Sequence, residues 1–192
     1  RIKGMVIEKL KEDFMIEDLW LKNFVNLTVE ESELVRSWRN YPEVRKWSYM
    51  DHEIGVDEHR GFIKRLKGDS RNAYFLAIKE GKPIGVISLV RIDFKNRSSY
   101  FGIYANPFEK MPNVGTMLGR ALLKLAFEII NLHTLKLEVL EGNDRAIGLY
   151  RKLGFKEEGR LREFVFKDGR WFDVIVMGMT EEEYYEMHKD KR

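Results

Sequence analysis

The 192-residue chain has no cysteine. Disulfides, thiolate metal sites and a cysteine nucleophile are therefore excluded, and nothing calls for an oxidising compartment. The histidines, His52, His59, His133 and His188, are scattered without ligand spacing, so no metal is expected. No apolar run approaches the roughly 20 residues that span a bilayer. The opening "RIKGMVIEKLKEDF" alternates charge and lacks the apolar centre of a secretory signal, so the expectation is a cytoplasmic protein without a membrane partner. Charge of one sign is scarce too. The 34 basic and 31 acidic residues are mixed along the chain and leave a formal +3, with no basic stripe to suggest nucleic acid. A small anionic molecule fits that balance.

There is also no internal repeat, low-complexity tract or Pro/Gly/Ser linker, and 44% hydrophobic content supports one domain with a sizeable core. We place that domain at residues 19–180. Residues 1–18 read as an N-terminal extension, with Met5 as the natural start, and 181–192 as a charged tail. "LWLKNFVNL" (19–27) reads as a strand, and Thr28 with Glu31 form a capping box for a helix that turns Leu34, Val35 and Trp38 inward and stops before Pro42. "VDEHRGFIKRLKG" is a second helix. "AYFLAIKEGKPIGVISLVRI" is a hairpin, "SSYFGIYA" a strand, and a long helix follows at 116–131. "TLKLEVL", a short helix, and two strands about the "KDG" turn close the chain. The pattern predicts a mixed α/β sheet flanked by helices.

Two stretches carry chemistry. In "YANPFEKMPNVGTMLGRALLKLAFEII" (104–130), Asn113, Val114, Gly115 and Thr116 occupy a helix start, where partnerless N–H groups and the positive end of the dipole bind anions. Gly115 admits close approach of a ligand, and Asn113 tolerates a left-handed backbone. An ordinary turn accounts for the same residues. In "EGNDRAIGLYRKLGF" (141–155), Asn143 can cap a helix, Ile147 and Leu153 can face the core, and Gly154 with Phe155 can close the C-terminus. Tyr150 is left over, open to a buried structural role or a functional one.

Together, the strand, loop, long helix, strand and "NDRAIGLYRKLGF" resemble the Gcn5-related N-acetyltransferase (GNAT) superfamily over about residues 20–180. The resemblance implies a mostly antiparallel sheet of about seven strands, splayed between the fourth and fifth, here "SYFGIY" and "LKLEVL". It implies acetyl-coenzyme A as co-substrate, its pyrophosphate on the loop where Lys110, Asn113 and Gly115 match a basic residue and two small positions. Asn stands where the family usually has Gly. The pantetheine arm is then expected to pair with the backbone of Gly102, Ile103 and Tyr104 as an added strand, to meet Asn143 and Ala146, and to bring the thioester sulfur beside Tyr150, the acid for the leaving thiolate. A backbone N–H of "FGIY" is the expected oxyanion donor.

"WRNYPEVRKWSYM" (38–50), "YFLAI", "FGIYANP" and "HTLKLEVLEGNDRAIGLYRKLGF" further resemble the N-acetyltransferases of pseudaminic acid biosynthesis. Those act on the 4-amino group of a UDP-linked 4-amino-4,6-dideoxy-N-acetyl-altrosamine, a sugar whose usual destination is flagellin. Arg39, Asn40, Arg45, Trp47 and Tyr49 are the candidates to bind such a nucleotide sugar, since Arg grips phosphate with parallel hydrogen bonds. A solvated helix end with Trp47 packed inside is the plain alternative. For the amine proton, either Glu138, the carboxylate in "TLKLEVL", or a water chain serves. The rival readings are a related enzyme acting on protein N-termini or a polyamine, and a non-catalytic sensor. The edge of the final hairpin can pair with another subunit or be covered by residues 5–18, and of the two we expect a homodimer.

Overall fold

The computed structural model describes residues 2–189. The chain begins with α1 (Ile2–Lys9), β1 (Phe14–Ile16) and β2 (Leu19–Asn23), followed by α2 (Val29–Asn40), α3 (Pro42–Arg45) and α4 (Val56–Leu66). Then come β3 (Ala73–Lys79), β4 (Lys82–Asp93), β5 (Ser98–Ala105), α5 (Val114–Leu123), β6 (Thr134–Leu140), α6 (Asp144–Leu153), β7 (Lys156–Lys167), β8 (Arg170–Thr180) and α7 (Glu181–Met187). The capping box forms as expected: the Thr28 hydroxyl accepts from the Glu31 amide at 3.1 Å, and the Glu31 carboxylate from the Thr28 amide at 2.9 Å.

All eight strands join one sheet in the order β1-β2-β3-β4-β5-β6-β8-β7, antiparallel except for β5 with β6. The expected strand at 19–27 is shorter than read, because Asn23 turns the chain. Its side chain accepts from the Val25 amide and donates to Leu10 O at 2.7 Å. The eighth strand, β1, has 3 residues and offers no alternation to read.

One face of the sheet packs on α5 and α6 through Leu118, Leu122, Leu135, Leu137 and Met177; the other holds α2 and α4 through Val35, Trp38, Leu66 and Leu76. The long helix is not uniform. After α5 it widens into a π-helical turn, Lys124–Ile129, which buries the consecutive residues Leu125, Ala126 and Phe127. The regular turn before it already buries Ala121, Leu122 and Leu123, so the wider turn extends a stretch buried on successive positions.

The ends also depart from the expected extension and tail. Leu10 and Ile16 sit in the main core, and Tyr184 of α7 is buried with its ring stacked 4.9 Å from Phe127. These short elements show too little periodicity to be seen in the sequence. Among the described residues no helix is long and apolar enough to cross a membrane.

Candidate active site

The parallel pairing of β5 with β6 covers only Ser98 to Tyr100 against Thr134 to Lys136. Beyond it the strands part. The alternation of ladder bonds shows which groups face the gap. The Asn106 amide donates to Ile84 O at 2.9 Å, which fixes the phase of the β4–β5 ladder. By that phase Gly102 and Tyr104 bond to β4, while the amides of Ile103 and Ala105 point toward β6. On the other side, Glu181 N to His133 O at 2.7 Å and Glu141 N to Asp173 O at 3.1 Å fix the β6–β8 phase, which turns the main chain of Glu138 into the gap. Of the expected backbone trio, Ile103 faces the gap. Gly102 is further tied to β4 by the Ser88 hydroxyl, 3.1 Å from its amide, and Tyr104 joins the layer under α2 and α4.

Tyr150 stands beside the point of divergence. Its ring meets Phe101 edge-on at 5.7 Å and Phe155 at 6.2 Å. Burial pushes its phenol up to about 12, and among the described residues the hydroxyl has no hydrogen-bond partner. A phenol so placed stays protonated at neutral pH and is free to donate.

α5 begins with Asn113 in the left-handed region at φ 61° and ψ 20°, and no side chain caps its first turn. Its leading amides thus lack helical partners, unlike those of α2 and α7, where capping boxes close the start. Gly115 has a packing duty besides the one read in the sequence. A Cβ there meets Leu149 Cδ2 at 2.9 Å, and at Gly119 Leu153 Cδ1 at 2.4 Å. The two glycines, four apart, let α6 lie close against α5, so the ligand side of residue 115 is main chain only. Lys110 is exposed on the loop before α5. Asn143 caps α6, accepting from the Ala146 amide at 3.4 Å. An open helix start, a gap lined with unpaired amides and a protonated phenol fit a pyrophosphate, an amide-bearing arm and a thioester, as in acetyl-coenzyme A.

On the face under α2 and α4 the sequence candidates take separate duties. Asn40 is fully used in the fold, donating to Ile54 O at 2.9 Å and accepting from the Ile54 amide at 2.7 Å. Arg39 donates to His59 Nδ1 at 3.2 Å and lies 5.2 Å from the Phe62 ring centre. Burial, then the Arg39 charge, depresses the His59 imidazole to about 4, so it accepts as a neutral ring. Trp47 packs with Leu140, Val165 and Val174, and Lys46 sits 4.8 Å over its ring. Among the described residues Arg39, Arg45 and Lys46 form no salt bridge.

Tyr49 donates to Glu138 Oε2 at 2.6 Å, and Arg91 Nη2 to Glu138 Oε1 at 3.1 Å. Burial, followed by the Glu138 bond, pushes the Tyr49 phenol far up. Two residues here escaped the sequence reading. Lys167, 2% exposed, donates to the carbonyls of Arg45, Lys46 and Ser48 at 2.5, 2.8 and 2.6 Å and so holds the turn after α3. Arg91 lies on an irregularity of β4 at φ 53°, its guanidinium 3.7 Å from the centre of the Tyr100 ring. These partners lie many tens of residues apart in sequence, so no local pattern marks them.

The splayed parallel pair and the open start of α5 define an acyl-coenzyme A-dependent acetyltransferase, and the chain belongs to the GNAT family. The profile described as "Acetyltransferase (GNAT) family" matches residues 29–155. The chain is 40% identical to acetyltransferase PseH of Campylobacter jejuni over 135 residues, covering 70% of this chain and 83% of the relative. The solved PseH structure from Campylobacter jejuni in complex with acetyl coenzyme A matches with a TM-score of 0.65 at 31% identity, covering 84% of this chain and 98% of that one. The spermidine N-acetyltransferase from Vibrio cholerae in complex with CoA and spermine matches with a TM-score of 0.79 at 27% identity, covering 88% and 99%.

Proposed function

We propose that the protein transfers acetyl from acetyl-coenzyme A to the 4-amino group of UDP-linked 4-amino-4,6-dideoxy-N-acetyl-altrosamine, the acetylation step of pseudaminic acid biosynthesis. The observation that carries the reaction is the gap between β5 and β6 with Tyr150 at its apex. The amides of Val114, Gly115 and Thr116, with Lys110 nearby, hold the pyrophosphate. Main chain at Ile103, Ala105 and Glu138 flanks the pantetheine arm, and Asn143 and Ala146 border it. The bound thioester supplies the activated acetyl group. A neutral amine attacks its carbonyl carbon, forming the C–N bond as the C–S bond breaks. Ile103 N–H stabilises the negative charge that develops on the carbonyl oxygen, and Tyr150 donates its proton to the departing sulfur. Both Glu138 oxygens are engaged by Tyr49 and Arg91, which favours water as the first acceptor of the amine proton.

For the acceptor, likeness to PseH at 40% identity and the cations Arg39, Arg45 and Lys46 support an anionic sugar nucleotide. The higher TM-score to the spermidine enzyme favours a second reading, a polyamine. The exposed Phe164, Phe166 and Trp171 on the final hairpin support a homodimer as part of the proposal. Thiol release from acetyl-coenzyme A is measured with the 4-amino UDP-sugar, spermidine and an N-terminal peptide as acceptors. Turnover with the sugar is expected; release with spermidine or peptide alone overturns the assignment.

A further inference from the structure

Glu138 is the first residue of β6 beyond the Tyr100–Lys136 pairing whose side chain faces away from the main core. It therefore stands at the base of the gap on the acceptor side. Its side chain is only 10% exposed, so its charge is felt strongly by any group that reaches it. A lone carboxylate there attracts the ammonium groups of a polyamine. In this chain it is not alone. Arg91 donates to Oε1 at 3.1 Å while its guanidinium packs 3.7 Å from the Tyr100 ring centre, and the left-handed φ of 53° at Arg91 belongs to an irregularity where β4 departs from its register with β5. Such irregularities re-aim side chains, and a left-handed non-glycine residue persists only when its surroundings hold it. Here the Arg91 amide donates to Asn72 Oδ1 at 3.1 Å, which holds the backbone, while the ion pair and the stacked ring hold the side chain.

The remaining charges on this face point the same way. Glu158, reached from the same face of β6, is bound through both oxygens by Lys136 Nζ at 2.6 and 2.7 Å. Two carboxylates are thus paired, and Arg39, Arg45 and Lys46 form no salt bridge among the described residues, with Glu58 the carboxylate that feels Arg39 electrostatically.

We infer that Arg91 is the specificity-determining residue of the acceptor site: by neutralising Glu138 it closes the floor to polycationic amines and leaves the site to an anionic acceptor. This rests on the acceptor proposed above. Tyr49, 44% exposed, holds the other oxygen; the Arg91 side chain is 54% exposed, and what fixes it besides the ion pair is its stacking on the Tyr100 ring.

The test compares kcat/KM for spermidine and for the 4-amino UDP-sugar in the unaltered protein, Arg91→Gln, Arg91→Lys and Arg91→Gln/Glu138→Gln. Arg91→Gln is expected to shift the ratio toward spermidine by about tenfold to a hundredfold, the range of one hydrogen bond to a charged group. Arg91→Lys, which keeps the charge, restores the original preference, and the double variant loses the gain because the exposed carboxylate is gone. Calorimetry with spermine and the acetyl-coenzyme A affinity of each variant show that the donor side is intact. An unchanged ratio in a folded Arg91→Gln protein, or the same gain in the double variant, overturns the inference. Spermidine turnover without sugar turnover in the unaltered protein instead overturns the proposed acceptor.

Discussion

The donor and acceptor sides of the active site are built from different materials. The donor side is mainly backbone: unpaired amides in the β5–β6 gap and at the uncapped start of α5, with Tyr150 as the proposed acid. The acceptor side is made of side chains held by distant partners: Tyr49 and Arg91 on Glu138, Arg39 on His59, and Lys167 under the turn at 45–48. Backbone donors are fixed by the fold and present whatever residues surround them, so they suit a co-substrate common to a family. Side chains can be exchanged singly without disturbing the sheet, which suits an acceptor that differs among relatives such as PseH and the spermidine enzymes.

Three substitutions test this division. Tyr150→Phe removes the proposed donor-side acid and leaves the backbone cradle. We expect kcat to fall about a hundredfold with coenzyme A affinity unchanged by calorimetry; undiminished turnover removes Tyr150 from the chemistry. Gly115→Leu acts on the same side through packing alone. The new side chain meets Leu149, next to Tyr150, and pushes α6 off α5. Coenzyme A affinity should weaken about tenfold, within the cost of overpacking a tight contact, while acceptor KM holds. Tight binding by this variant argues against the α5 cradle. Lys167→Met strips three carbonyls of their donor and loosens the turn that carries Trp47 and Tyr49. Acceptor KM should rise about threefold to tenfold, roughly the worth of one or two hydrogen bonds, with coenzyme A affinity preserved. A change in donor affinity instead would show that the two sides are not separable.

What could be read beforehand follows the same line. The Thr28–Glu31 box, the turn at Asp168 and Gly169, the left-handed Asn113 and the cap at Asn143 are local, and each appears where its residues call for it. The π-helical turn was missed because no local pattern in the residues at 124–129 marks it. Gly115 is visible in sequence, and Leu149 packed opposite it is not.

By itself, the order of residues determined a mixed sheet covered by helices and where the proposed anion-binding turn and the phenol stand along the chain, because hydrophobic period, caps and turns act over a few residues. Only the tertiary structure decided that β5 and β6 part after three residues, that Tyr150 lies at that point, and that Arg91 neutralises Glu138. Those facts depend on contacts between segments tens of residues apart, and electrostatic attraction and close packing act through space, not along the chain.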